Sequence, residues 1–164
     1  MVVNTTQQVE FLLKSSKGLR SNDMKLWIAY LVMFHDLQTV VAKKKPYEQF
    51  KKLVLSDDVP SMETIRRTRQ KIQSTGKYVG VKTKRKKTYQ EFTTKSCVVH
   101  LLKHHKETRK NDKLLWLEFL NTFLNLENKL KHNSYERLCE VLLQEAPAFS
   151  SIVRVRQSLQ RKSA

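Results

Sequence analysis

The sequence predicts an all-α protein: two tandem copies of a four-helix unit, each containing a helix-turn-helix, joined by a basic spacer. Three observations carry that expectation. The chain repeats itself, its apolar residues recur at helical spacing, and only three Gly and three Pro interrupt 164 residues.

The repeat comes first, because a missed repeat misreads the whole fold. RSNDMKLWIAYL from Arg20 returns as RKNDKLLWLEFL from Arg109, a shift of 89. Tyr47-Glu48 meets Tyr135-Glu136 at a shift of 88, and IRRTRQKIQ from Ile65 meets IVRVRQSLQ from Ile152 at 87. The two one-residue changes of shift fall where loops are expected. The resulting organisation is residues 1–75 as a first helical repeat, 76–93 as the spacer and 94–164 as a second repeat. Each copy is close to the size at which one core barely suffices, so the copies are expected to pack on each other.

Helices are then placed in order. The first spans about 5–16 and about 94–106, with Val9, Leu12 and Leu13 matching Val98, Leu101 and Leu102. The second starts near Asn22 and Asn111, where an Asn side chain can cap free amides and Asp23 or Asp112 suits the positive helix end. The third starts near Pro46 and Ser134, the fourth near Ser61 and Ala148. Leu26, Trp27, Tyr30, Leu31 and Phe34, with their matches Leu115, Trp116, Phe119, Leu120 and Phe123, form an apolar helical stripe. Core packing explains both tryptophans better than base stacking does. The spacer interleaves Tyr78, Val79, Val81, Tyr89 and Phe92 with the run Lys82, Lys84, Arg85, Lys86, Lys87. It reads as a small β-hairpin with a charged tip or as a basic linker that orders on phosphate.

The net charge is +17, from 32 basic and 15 acidic residues, and every segment is basic. Such an excess favours a polyanionic partner, with duplex DNA first and RNA as the other candidate. Two cysteines form no disulfide framework and fit a reducing compartment. No apolar run approaches the ~20 residues of a membrane span. The start MVVNTTQQVEF lacks a signal-peptide pattern. The chain reads as intracellular, with no membrane partner.

The third and fourth helices of each copy carry the functional expectation. YEQFKKLVL, SDDVP and SMETIRRTRQKIQ follow one another as helix, turn and helix; so do YERLCEVLL, QEAPA and FSSIVRVRQSLQ. In a helix-turn-helix the second helix can enter the major groove. At 100° per residue, Met62, Ile65, Thr68 and Ile72 share one side, and Glu63, Arg66, Arg67, Gln70 and Lys71 the other. Arg and Gln are the side chains that pair bidentately with guanine and adenine. Candidate DNA-binding residues are therefore Arg66, Arg67, Gln70 and Lys71, with Lys82, Lys84, Arg85, Lys86 and Lys87 holding phosphate. In the second copy Arg154 and Gln157 remain, but Val153 replaces Arg66 and Ser158 replaces Lys71. The fourth helix of that copy is then expected to hold phosphate rather than bases, or else to turn Val153 toward a partner protein or a second chain. Arg69 and Arg156 lie about 40° from the core side, where pairing with Glu48 or Asp23, and with Glu136 or Asp112, suits them better than DNA.

Catalytic motifs are missing: there is no Gly-rich phosphate loop, no HExxH and no CxxC. Cys97, His100 and His104 share a helical face beside His105, but one helix leaves a fourth zinc ligand unsupplied and the first copy has no such set. No enzyme, cofactor or metal is expected.

HLLKHHKETRKNDKLLWLEFL with SIVRVRQSLQ, and SNDMKLW with SMETIRRTRQKIQSTGKY, resemble short proteins of tailed phages and prophages of Gram-positive bacteria. Those proteins look like a single copy, with an ETRNxD-like start, an LLW-type helix and an SIRRxRQKIQ-like helix. The duplication, Val153 and Val155 depart from that pattern. The resemblance implies DNA binding and the cytoplasm of a bacterial host. The expected function is thus a DNA-binding phage or prophage regulator reading two half-sites about one helical turn, ~34 Å, apart. The rival expectation is a basic helical protein that inhibits a host nucleic-acid-processing protein. A homodimer is compatible with either.

Overall fold

In the computed structural model, residues 4–80 and 94–162 are described, and all the regular structure among them is helical. The first half holds α1 (Thr5–Ser15), α2 (Asp23–His35), α3 (Leu37–Val41), α4 (Pro46–Leu55) and α5 (Met62–Gln73). The second holds α6 (Thr94–His104), α7 (Asp112–Leu124), α8 (Leu126–Lys129), α9 (Ser134–Glu140) and α10 (Phe149–Lys162). Short 3₁₀ turns, Lys17–Leu19 and Lys106–Arg109, precede α2 and α7.

Local chemistry sets these boundaries. Asn4 and Gln7 close a reciprocal capping box at the start of α1. Asn22 Oδ1 accepts from the Lys25 amide at 3.0 Å, and Asn111 Oδ1 from the Leu114 amide at 3.1 Å. Pro46 occupies the first turn of α4, where its missing N–H costs nothing. Ser61 caps α5 by accepting from the Thr64 amide at 3.2 Å.

Four helices per copy was one too few. The helix after Asn22 stops at Asp36 (φ 56°), and its match stops at Asn125 (φ 55°). Asp and Asn tolerate this left-handed conformation better than most residues. The chain then restarts as α3 and α8, too short to show a period in sequence. Likewise α9 runs on as a π-type turn, Val141–Glu145. The proposed hairpin falls on the spacer, 76–93: residues 76–80 form no strand, and 81–93 lie outside the described residues. At the start of the spacer, Gln73 Nε2 donates to the Tyr78 carbonyl at 2.8 Å. A Cβ on Gly80 would lie 2.7 Å from the Arg20 carbonyl oxygen, so glycine is needed for that approach.

One buried cluster runs through both halves. Its centre is Trp27 against Trp116, edge to face at 5.4 Å and 84°, a geometry worth about 0.5–1.5 kcal/mol beyond area burial. Each indole N–H points at a proline carbonyl, Trp27 at Pro60 (3.4 Å) and Trp116 at Pro147 (3.5 Å). Packing crosses the halves: α4 lies on α7 and α8, and α9 on α3. Lys113 reaches over to donate to the Val59 carbonyl at 2.7 Å. Burial holds its amine below the ordinary lysine range, against the opposing charge of Asp57.

Where matched positions differ, the core compensates. Tyr30 Oη donates to Gln8 Oε1 at 2.5 Å. The matching positions, 119 and 97, hold Phe119 and Cys97, both buried. The polar pair has been exchanged as a unit for an apolar one, so neither copy leaves a hydroxyl without a partner at this position.

Candidate nucleic-acid interface

Helix α5 is held from one side by a clamp built from Arg69. Its Nε donates to Asp23 Oδ1 at 2.7 Å and its Nη1 to Gln73 Oε1 at 2.6 Å. Gln73 Nε2 then donates to the Arg20 carbonyl at 2.9 Å. The same clamp holds α10: Arg156 Nε to Asp112 Oδ1 at 2.5 Å, Nη1 to Gln160 Oε1 at 2.6 Å, and Gln160 Nε2 to the Arg109 carbonyl at 2.9 Å. Arg20 and Arg109 in turn donate to the Leu13 and Leu102 carbonyls, at 2.8 and 2.7 Å, closing the ends of α1 and α6. Of the partners that spacing allowed for the two clamp arginines, Asp23 and Asp112 are the ones used. Gln73 and Gln160, identical in both copies, went unnoticed in sequence because a glutamine offers no charge to match.

These clamps, with Met62, Ile65 and Ile72 buried in α5 and Phe149 and Ile152 in α10, decide which faces remain open. Arg67, Gln70 and Lys71 are exposed on α5, and Arg154 and Gln157 on α10. The Arg67 side chain is 75% accessible. Arg66 differs: its side chain is 25% accessible and grips Glu63 bidentately, Nη2 to Oε1 at 2.6 Å and Nε to Oε2 at 3.0 Å. Arg67 Nε reaches the same Oε1 at 3.1 Å. The Arg66 hydrogen bond, aided by both guanidinium charges, holds the Glu63 carboxyl below the ordinary carboxylate range despite burial. Arg66 therefore has no free fork for a base unless Glu63 releases it. The spacing Glu, Arg, Arg at i, i+3 and i+4 was the legible signal for this pairing.

Three sequence expectations change here. Val153 does not stand free for a partner; it is half-buried against the core. Nor are α5 and α10 a helical turn of DNA apart. They approach within 8 Å between Cα atoms. Helices of 12 and 14 residues are about 18 and 21 Å long, so touching helices have centres less than about 30 Å apart. The helix-turn-helix pairing is also looser than expected: α5 packs chiefly on α1 and α2, while α4 packs on α3 and the second half.

Lys82, Lys84, Arg85, Lys86 and Lys87 lie outside the described residues. Cys97 points into the core while His100 and His104 stack outside it, centroids 4.5 Å apart. No three His, Cys, Asp or Glu among the described residues are grouped to hold a metal ion. No helix among them is long and apolar enough to cross a membrane.

A second surface feature separates the halves. An open apolar groove of about 400 Å³ runs between α2 and α9, lined by Leu12, Ile28, Ala29, Val32, Met33, Tyr135, Cys139 and Leu143, with Lys25 among them. Shifting these positions to the other copy brings Glu118 to the place of Ala29 and Lys51 to that of Cys139. There the two charged side chains meet at 3.4 Å.

No protein-family model, curated protein or solved structure matches this chain.

Proposed function

We propose that the chain is a non-enzymatic DNA-binding protein of two related units, 1–75 and 94–164, joined by the spacer 76–93, with α5 as the base-reading helix. The observation that carries this is the exposed set Arg67, Gln70 and Lys71 on a helix fixed from behind by the Arg69–Asp23 clamp. A rigid helix presenting Arg and Gln has the chemistry of major-groove recognition. The charge of +17 supplies the sequence-independent attraction. In this reading α5, packed on α1 and α2 more than on α4, is the reading helix of a loosened helix-turn-helix, α10 adds Arg154 and Gln157, and the spacer lysines hold phosphate. Because α5 and α10 touch, the target is one short continuous site. With the resemblance to tailed-phage proteins, the role that fits is a phage or prophage regulator in a bacterial cytoplasm.

The test is a pair of titrations, one on a duplex enriched from a random pool and one on random duplex. Arg67→Ala should cost about 1–3 kcal/mol on the enriched site and much less on random DNA. Equal loss on both makes α5 a phosphate clamp. RNA as the polyanion is tested by repeating the titrations with duplex and single-stranded RNA.

A second reading, inhibition of a host nucleic-acid-processing protein, is favoured by the apolar groove beside exposed Met33 and Leu143. It moves ahead if short duplex DNA does not bind.

A further inference from the structure

Glu63 is an odd residue to find on a helix that meets DNA. Its carboxylate would repel phosphate, and it already occupies two arginines. An exposed ion pair of this kind is ordinarily worth little and is used for solvation. This one is not ordinary. Its carboxylate is only 23% accessible, both its oxygens are taken, and Arg66 meets it with two parallel bonds. Asp23, on the neighbouring helix, adds further negative potential favouring the Arg66 charge.

The second copy supplies an internal control. Arg67, Arg69, Gln70 and Gln73 are all kept there, as Arg154, Arg156, Gln157 and Gln160. Glu63 and Arg66 are both changed, to Ser150 and Val153. The acid and its bidentate partner are lost together, and Val153 fills the half-buried place of Arg66 with apolar contact. The pair thus behaves as one device, present in α5 and absent from α10.

We propose that Glu63 is a positioning residue for base reading: it ties Arg66 to the helix and aims Arg67, making α5 the discriminating half of a directional, non-palindromic site. This rests on α5 being the helix that meets DNA. The physical logic is negative as well as positive. A guanidinium held by a carboxylate is not free to bind any phosphate that passes, and one whose orientation is fixed favours the base edge that matches it. On α10 Arg154 has no such partner at the matching position, so that half is expected to tolerate many sequences.

The experiment is enrichment of duplexes from a random pool by the full chain, followed by titration of the enriched and a scrambled duplex. Wild type should enrich a site whose sequence is strongly specified on one side only. Glu63→Gln should bind scrambled DNA more tightly, with a salt slope steeper by about 0.9 for one freed cation. Its preference for the enriched duplex should fall about tenfold. Arg66→Val, which copies α10, should lose preference without gaining affinity for scrambled DNA. It also carries the test if Glu63→Gln melts early by circular dichroism. A palindromic enriched site, or an unchanged preference in both variants, overturns the proposal while leaving DNA reading intact. Enrichment of no sequence by wild type removes base reading itself, and this inference with it.

Discussion

Lys51 Nζ lies 3.4 Å from Glu118 Oε1 across the junction of the two halves, and the positions matching them hold Cys139 and Ala29. A charged pair closes one side of the junction, while small residues leave the other as an apolar groove. Ala29→Glu with Cys139→Lys should rebuild the missing pair. In a double-mutant cycle the two changes should couple favourably by about 0.2–1 kcal/mol, the range for exposed pairs. Urea midpoints of the four proteins measure it, and additivity of the single changes would show that the two junctions differ in backbone as well as in side chains.

The clamp arginines should matter more for stability than any exposed cation. Arg69 and Arg156 side chains are each 15% accessible and each bind a carboxylate and a glutamine. Arg69→Ala leaves Asp23 and Gln73 without their donor and should cost about 1.5–3 kcal/mol, as should Arg156→Ala. Lysine should restore little, since one ammonium cannot reproduce the fork. Chemical denaturation reads both.

Affinity for duplex DNA should fall steeply with salt. About six phosphate contacts predict a loss on the order of a thousandfold between 50 and 200 mM. Replacing Lys84, Arg85, Lys86 and Lys87 by Ala should weaken enriched and random duplex alike and lower the slope. A flat salt dependence would refute the electrostatic part of the reading.

Acid should destabilise the fold in two steps. Burial holds His35 below its ordinary 6.5, only partly offset by Asp58. The unfolded chain therefore binds more protons between 6.5 and the folded value, and stability is lost as pH falls through that window. Glu63, depressed below 4.5 by its arginines, gives a second loss in the same direction at lower pH. Melting temperatures from pH 7.5 to 5 should drop for wild type and drop less for His35→Gln.

Much of the helical order was legible before any coordinates. Caps at Asn22, Asn111 and Ser61, the Pro46 start and the apolar stripe through Trp27 act within a few residues, so spacing alone reveals them. The helical wheel also told which arginines are structural, because Arg69 and Arg156 lie off the free face. What sequence by itself determined was this local, periodic chemistry and the excess of positive charge. Only the tertiary structure decided the rest. Trp27 packs on Trp116, α5 touches α10, and Lys51 finds Glu118. These contacts join residues 67 or more positions apart, where no helical period connects them. The left-handed breaks at Asp36 and Asn125 were likewise settled by packing. A side chain's partners depend on which neighbours close around it, and that is a property of the whole fold.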